Sequence, residues 1–435
     1  MRLGSWKPDP FVVAFRRCRG MFAAPEESSR MNALQRPFIL VLTTSYPSHE
    51  DDPSGVFIAR LLRAIMKRGY EIRVVAPSDG TFYGRRVIDS IETVRFGYFW
   101  PRSLEKLTRV GGGIPENMSK SFLARLQILP MMVAFMLVSL REARGCDLIY
   151  ANWIGAGIIG ALLTLFAREP LVISFRGDDG YLARDRALWR VLTKWVSRRA
   201  AVVAPVSGEL MQILADLGVP EKKCRLPRFG VDTNMFRPAT HRIEHRDGIR
   251  LLFVGSLIPR KGLHDLLKAL ADPAFNKVVL EVVGDGFYRQ QLKVMCEELG
   301  LRQRTHWRGM LPPEQVARIM RVSDLLCLPS YMEGRPNVVN EAMASGIPVI
   351  ATRIGGIPDM VLEGETGLLF EPGSVEEMRK CLRTLVGDAD LRGRMGRAGH
   401  EFLIQSGVSW DSTAQEFDAI FSGLIKKLPD SSGAG

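Results

Sequence analysis

Cysteine is scarce in this chain. The six residues (Cys18, Cys146, Cys224, Cys296, Cys327 and Cys381) are scattered and form no C-x-x-C pair. That excludes a disulfide-stapled scaffold and points to reduced, mostly buried thiols in a cytoplasmic setting. There is no H-E-x-x-H helix and no G-x-x-x-x-G-K-[ST] loop, which removes zinc-hydrolase and P-loop chemistry. No Asp-x-Asp is placed for catalysis, since neither Asp178-Asp179 nor Asp285 presents one, so no metal is expected. His241 and His245 stand four apart without a carboxylate or cysteine partner and read as solvated linker residues. Long hydrophobic runs are missing too. The longest, Ile154 to Ala167 and Ile128 to Leu140, count 14 and 13 residues if small residues are included. A spanning helix needs about 20. Phe11 to Phe15 is too short for a secretory core and is followed at once by arginines. Asn117-Met118-Ser119 matches a glycosylation acceptor by chance in such a compartment. Basic stretches interleaved with aromatics are lacking, so no nucleic-acid partner is expected.

What is present suits a two-core globular chain. Its 435 residues are long enough for two domains, and 46% hydrophobic with 24% charged residues is ordinary for packed protein. The net charge of +12 leaves anionic substrates or an anionic membrane surface as partners. Residues 1–36 carry seven Lys/Arg against three Asp/Glu and read as a basic disordered tail or an upstream start, with Met31 as an alternative start.

From residue 37 the chain alternates short apolar runs with helical patterns. Phe38 to Leu42 reads as a buried strand, and Phe57, Ile58, Leu61, Leu62 and Ile65 share one helix face. Strands are expected at Ile72 to Ala76, Leu148 to Ala151, Leu171 to Phe175 and Ala201 to Ala204. The pattern restarts at Arg250 to Val254 and continues at Val278 to Val283, Thr305 to Trp307, Leu325 to Leu328 and Val349 to Ala351. Such alternation implies parallel sheets with right-handed crossovers. The fold class is therefore α/β, with two Rossmann-like β/α/β domains at 37–237 and 249–408 joined by a polar linker at 238–248. A helix at 409–427 and a tail at 428–435 complete the chain. Ser119 to Gly145 mixes Lys120, Arg125, Arg141 and Arg144 with apolar residues and is a candidate acceptor-facing or membrane-facing segment, in which Pro130 should interrupt any regular helix.

The most informative stretch runs from Ser330 to Ile357. Glu333 follows an apolar strand, and Glu341, separated from it by seven residues, lies one turn into a short helix ended by Gly346-Ile347-Pro348. Two carboxylates and a helix start are thereby brought to the carboxyl-end rim of a parallel sheet, where open α/β sheets bind ligands. Carboxylates accept hydrogen bonds from sugar or ribose hydroxyls, and free N–H groups at Asn337, Val338 and Val339 would favour a phosphate. Four further clusters point to the same ligand. Ser54-Gly55-Val56 heads the first helix and lets backbone approach a phosphate. Gly255 through Gly262 follows a strand and carries Arg260 and Lys261, a cation pair suited to a diphosphate. Gly284-Asp285-Gly286 reads as a turn beside the site. Arg176-Gly177-Asp178-Asp179 follows a first-half strand; its arginine can anchor phosphate or stabilise a departing anion but cannot act as a base.

From about Phe38 to Arg379 these motifs resemble the retaining family-four glycosyltransferases of GT-B fold, the glycosyl transferases group 1 type. The E-x7-E string resembles their donor site, Arg260-Lys261 their donor-phosphate loop, and Gly55 their N-terminal glycine loop, with one glycine where many members have two. Ser207 and Gly230-Val231-Asp232 match further segments, and Arg228 stands where asparagine is common. The resemblance implies that two domains face each other across a cleft. It implies that Gly55, Gly255, Arg260, Lys261, Gly284, Glu333, Gly334, Asn337, Val338 and Glu341 bind a UDP- or GDP-sugar. Glu341 would take ribose, and Glu333 the sugar. Arg260, Lys261 and Glu333 would be catalytic, and no metal or other cofactor would be needed. Arg176 replaces a usual histidine and Asp179 holds the aspartate position, both toward the acceptor. The implied activity is retaining transfer to a glycan or lipid-linked acceptor in surface polysaccharide or glycoconjugate synthesis, in the cytoplasm or at the inner membrane face. The implied C-terminal helix crosses back to the first domain. The alternatives are a nucleotide-sugar epimerase of the same architecture and a non-catalytic sugar-nucleotide or membrane-binding protein.

Overall fold

The computed structural model describes residues 36–49, 52, 54–108, 113–114, 117–118, 121–166, 168–239 and 248–425. Residues 1–35, most of the linker with His241 and His245, and the tail at 428–435 lie outside them.

The apolar runs become strands, and the central ones are buried on both faces, as a parallel sheet covered by helices requires, whereas the run at Thr305 forms a partly exposed edge strand. The first sheet contains β1 (Phe38–Thr43), β2 (Glu71–Pro77), β3 (Gly84–Ile88), β4 (Ile91–Phe96), β5 (Leu148–Asn152), β6 (Leu171–Phe175) and β7 (Val202–Pro205), in the order β3-β4-β2-β1-β5-β6-β7. The second contains β8 (Ile249–Val254), β9 (Val278–Val283), β10 (Thr305–Gly309), β11 (Leu325–Leu328), β12 (Val349–Thr352) and β13 (Gly367–Phe370), in the order β10-β9-β8-β11-β12-β13. All neighbours are parallel except β3 and β4. The chain leaves β1 toward β2 and returns to the other side at β5; it leaves β8 toward β9 and returns at β11. These two reversals open crevices at the carboxyl ends of β1/β5 and β8/β11.

The principal helices are α1 (Val56–Met66), α2 (Phe122–Leu126), α3 (Ile128–Glu142), α4 (Trp153–Leu163), α5 (Asp178–Asp185), α6 (Ala187–Arg199), α7 (Gly208–Asp216), α8 (Leu263–Leu270), α9 (Asn337–Ala344) and α10 (Trp410–Ile425). The last belongs to the first domain. It packs along α1 and places Phe417 and Phe421 in the core beneath β1 and β5. Their rings lie 5.3 and 5.6 Å from that of Tyr150.

Three local expectations change. The β3–β4 hairpin was not anticipated, because β3 is almost wholly exposed and offers no apolar run. Its turn residues Asp89 and Ser90 both have positive φ, the mirror-image geometry that matches strand twist. Regular helix is interrupted one turn ahead of Pro130, at Gln127, and not at Pro130 itself. Pro130 sits in the first turn of α3, where a proline costs no needed N–H, and Met131 N–H still bonds Gln127 O at 3.0 Å. With only that break, α2 and α3 follow one another as a 21-residue helical stretch of mean hydropathy 1.9. By length and composition it could cross a membrane, although its uninterrupted apolar run was too short. One face of it packs on the sheet through Met131 and Phe135, with Phe135 5.0 Å from Phe96.

Candidate active site

The two domains meet along the carboxyl ends of their sheets. Gly334, after β11, lies so close to the loop after β6 that a Cβ there would stand 1.9 Å from the Arg176 carbonyl oxygen. Gly355 and Gly356 close on the other side: a Cβ on Gly355 would stand 2.0 Å from the Glu333 oxygen, and Gly356 N–H donates to Gly334 O at 2.7 Å. Glu333 and Gly334 are thus clamped between domains by backbone. Tyr181 of α5 donates to Glu333 O at 3.1 Å and to Glu209 at 2.8 Å, and Glu209 accepts from Gly355 N–H at 2.7 Å.

Within this clamp Glu333 is buried. Its Oε1 accepts from Lys261 Nζ at 2.5 Å and from Ser330 Oγ at 2.7 Å. Lys261 ends a short helical turn, Pro259–Lys261, that also carries Arg260. The turn is pinned to the Glu333 loop by Tyr331 N–H bonding Arg260 O at 2.8 Å, and Gly262 fits only because it lacks a Cβ, which would meet Pro329 O at 1.8 Å. Residues 72 positions apart in the chain thus share one ion pair, at the β8/β11 reversal.

Glu341 lies on α9 and faces Arg60 of α1, with Nη1 3.4 Å from Oε1. Burial raises its carboxyl above the usual range, and Arg60 partly opposes that. Of the N–H groups expected to be free at the α9 start, Val339 is already committed to Pro336 O at 3.1 Å. Those of Asn337 and Val338 remain available, with no acidic residue in the first turn. Gly55 caps α1 in the left-handed conformation (φ 66°), and a Cβ there would meet Ser45 O at 2.6 Å. α1 therefore presents its open start and Arg60 toward the second domain. Gly255 and Gly284 end β8 and β9 side by side: a Cβ on Gly284 (φ 134°) would lie 1.9 Å from Gly255 O. Asp285 pairs with Arg289 at 2.9 Å and not with the site cations.

On the first-domain side, Asp179 works as backbone scaffolding. Its two oxygens accept Ile154 N–H and Arg176 N–H, each at 3.1 Å. Arg176 is no surface residue. Its guanidinium bonds Asn152 Oδ1 at 2.6 and 3.1 Å and Tyr150 OH at 3.1 Å, and lies between the Phe57 and Phe229 rings. Sequence reading missed Arg60, Asn152, Tyr181, Glu209 and Ser330. Only Glu209 carried a signal, since it follows the matched Ser207, whose side chain caps α7 by accepting Leu210 N–H at 3.3 Å. Among the described residues no group of three His, Cys, Asp or Glu could hold a metal.

Comparisons with known proteins agree with this arrangement. The profile of the glycosyl transferases group 1 family matches residues 240–402, and that of the glycosyl transferase 4-like domain matches 54–230. The chain is 29% identical over 403 residues to a D-inositol 3-phosphate glycosyltransferase of Corynebacterium glutamicum, covering 85% of this chain and 91% of that one. It is 29% identical over 330 residues to an MMP alpha-(1->4)-mannosyltransferase of Mycolicibacterium hassiacum, covering 74% and 79%. Its fold superposes on sucrose-phosphate synthase of Thermosynechococcus elongatus with a TM-score of 0.74 at 21% identity, over 90% of this chain and all of that one. It superposes on Anabaena HepE in complex with UDP-glucose with a TM-score of 0.70 at 21% identity, over 89% and 100%. With both domain profiles matched and the two parallel sheets facing each other, the chain belongs to the glycosyl transferases group 1 family and is a glycosyltransferase of GT-B fold.

Proposed function

We propose that this glycosyltransferase takes a sugar from a nucleoside diphosphate donor, UDP- or GDP-linked, and passes it with retention of configuration to a glycan or lipid-linked acceptor. The observation that carries the reading is the Lys261–Glu333 ion pair beside the α9 start and Glu341, all on one rim. The solved HepE structure that contains UDP-glucose shares the fold, which supports a nucleotide-sugar donor here.

The chemistry follows from charge. A leaving diphosphate gains negative charge as the glycosidic bond breaks, so groups that bind it more strongly then lower the barrier. Lys261 and Arg260 are placed for that, with the N–H groups of Asn337 and Val338 and the α1 start at Gly55 as neutral donors. Glu341 accepts the ribose hydroxyls once Arg60 yields, and Glu333 accepts hydroxyls of the sugar while its ion pair keeps Lys261 in place.

The acceptor reading includes a membrane. Phe122, Leu126, Leu129, Val133 and Leu137 recur every three or four residues along α2 and α3 and are all exposed, Phe122 and Leu129 by 73%. Arg125 and Arg141 stand on the same stripe, both exposed. α4 lies between this helix and α6, where Leu188 and Val191 are also exposed. An apolar stripe with flanking arginines fits in-plane attachment to an anionic leaflet at the cytoplasmic face.

The first test is thermal shift against UDP, GDP and ADP, with Glu341→Ala as control. Ligand at a hundred times its Kd adds about 2.7 kcal/mol of stability. A shift with one nucleotide, lost in the variant, identifies the base for a donor screen with product analysis, which also separates transfer from epimerisation. No shift with any of them defeats the reading. Sedimentation with anionic vesicles tests the membrane part, and absence of binding at low salt counts against it.

A further inference from the structure

Buried charges in proteins are paired, because an isolated ion loses its hydration without compensation. Three of the less exposed arginines obey that rule: Arg60 meets Glu341, Arg73 meets Glu92 and Glu142, and Arg95 meets Asp79. Arg176 does not. Its hydrogen-bond partners are the neutral Asn152 and Tyr150, and it rests on two phenyl rings, at 4.5 Å from Phe229 and 5.1 Å from Phe57. Among the described residues no carboxylate lies within ion-pair distance of it. Asp179 attracts it only from further away, and spends both oxygens on backbone N–H groups. Nη1 donates to no described residue, whereas Nε and Nη2 are engaged. Beside it the fully buried Asn152 amide has a second loose end: Nδ2 leans toward the Tyr150 hydroxyl but makes no well-formed hydrogen bond.

The location is as telling as the charge. Asn152 ends β5, at the β1/β5 reversal. Phe57 stands in the first turn of α1, two residues after Gly55. The Arg176 carbonyl is the surface against which Gly334, neighbour of Glu333, is packed. The backbone of Arg176 thus borders the second domain, while its guanidinium is held in one orientation on the first-domain side by Asn152, Tyr150 and the rings.

We propose that Arg176 and Asn152 form an oxyanion-binding site, and that one of the two sugar substrates carries a carboxylate or phosphate which completes the missing ion pair. The inference rests on the transferase reading. The anion has two possible carriers, a uronic-acid donor or a phosphorylated acceptor. Either would receive a charge-assisted hydrogen bond from Nη1, with Asn152 holding the guanidinium in place through Oδ1.

Calorimetry on the full chain separates the carriers. UDP-glucuronate is compared with UDP-glucose for the donor. For the acceptor, glucose 6-phosphate and inorganic phosphate are compared with glucose at saturating UDP; GDP and its sugars replace these if GDP is the nucleotide bound. The expected result is a preference of about 10- to 100-fold for the charged member of one pair. Arg176→Gln should abolish that preference, and Arg176→Lys, which keeps the charge without the fork, should retain part of it. An unchanged apo melting temperature shows that the variants are folded; should Arg176→Gln unfold, Arg176→Lys and wild type alone decide. No preference in wild type, a preference that survives Arg176→Gln, or an equal loss of affinity for UDP itself overturns the proposal. If wild type binds nucleotide in a Glu341-dependent way yet shows no preference, only this inference fails. If it binds no nucleotide, the transferase reading fails first.

Discussion

At the residue scale, the site consists of side chains whose burial only a ligand or a partner explains. Glu341 has a carboxyl raised by burial and offset by Arg60. Ribose hydroxyls donate to its ionised form, so nucleotide binding favours deprotonation. Affinity is therefore full above the raised pKa, falls as pH drops through it, and is accompanied in that window by proton release. Calorimetry in buffers of different ionisation enthalpy should detect the released proton, and Glu341→Gln should remove the pH dependence. Lys261→Ala removes the cation that faces the leaving diphosphate and leaves Glu333 buried without its partner; kcat should fall by about 100- to 1,000-fold in an initial-rate assay. Gly334→Ala would push a methyl into the Arg176 carbonyl. It should cut transfer while nucleotide binding, which rests on the second domain, survives. Glu333 and Glu341 could be picked out as candidates from the sequence because their spacing couples a loop to a helix start. Arg60 and Asn152 were not, because each acquires its role from a partner 281 or 24 residues away.

At the element scale, the apolar periods located most of the parallel strands but said little about α10 and misjudged α2–α3. α10 is held by Phe417 and Phe421 against Tyr150, and by Thr413 Oγ1 bonding Arg228 O at 2.7 Å. Phe417→Ala should cost about 3–5 kcal/mol in denaturant unfolding. Because Tyr150 also holds Arg176, the same variant should weaken whatever Arg176 binds. The break expected at Pro130 falls one turn earlier, at Gln127, which leaves the proline in the first turn of α3 where it needs no N–H partner. Replacing Leu129, Val133 and Leu137 with glutamate should leave the melting temperature nearly unchanged, because these side chains are 73%, 51% and 63% exposed. Vesicle sedimentation should drop sharply in the same protein.

At the scale of the whole molecule, the domains are tied by a few polar links: Arg60–Glu341, Tyr181 and Glu209 to the Glu333 and Gly355 backbone, Gly208 N–H to Asp359 at 2.8 Å, and Asn340 to Phe229 O at 3.0 Å. Arg60 occupies the carboxylate that ribose would need. Arg60→Ala should loosen the nucleotide-free protein, seen as a larger radius of gyration in solution scattering, and UDP should restore compactness. The net charge of +12 adds a long-range attraction to anionic surfaces, so vesicle binding should weaken steeply with salt. The sequence by itself determined the alternation of strand and helix, the restart that makes two domains, and the acidic, basic and glycine loops at the strand ends. These are local properties: burial period, turn chemistry and spacing along a few residues. Only the tertiary structure decided that Glu333 pairs with Lys261, that Glu341 is shielded by Arg60, that α10 returns to the first core, and that the half-buried Arg176 has no carboxylate partner among the described residues. Each of those depends on distances between segments far apart in the chain. They arise when each sheet assembles its strand ends and, for Arg60 and Glu341, when the two domains meet, and no periodicity within one segment encodes those approaches.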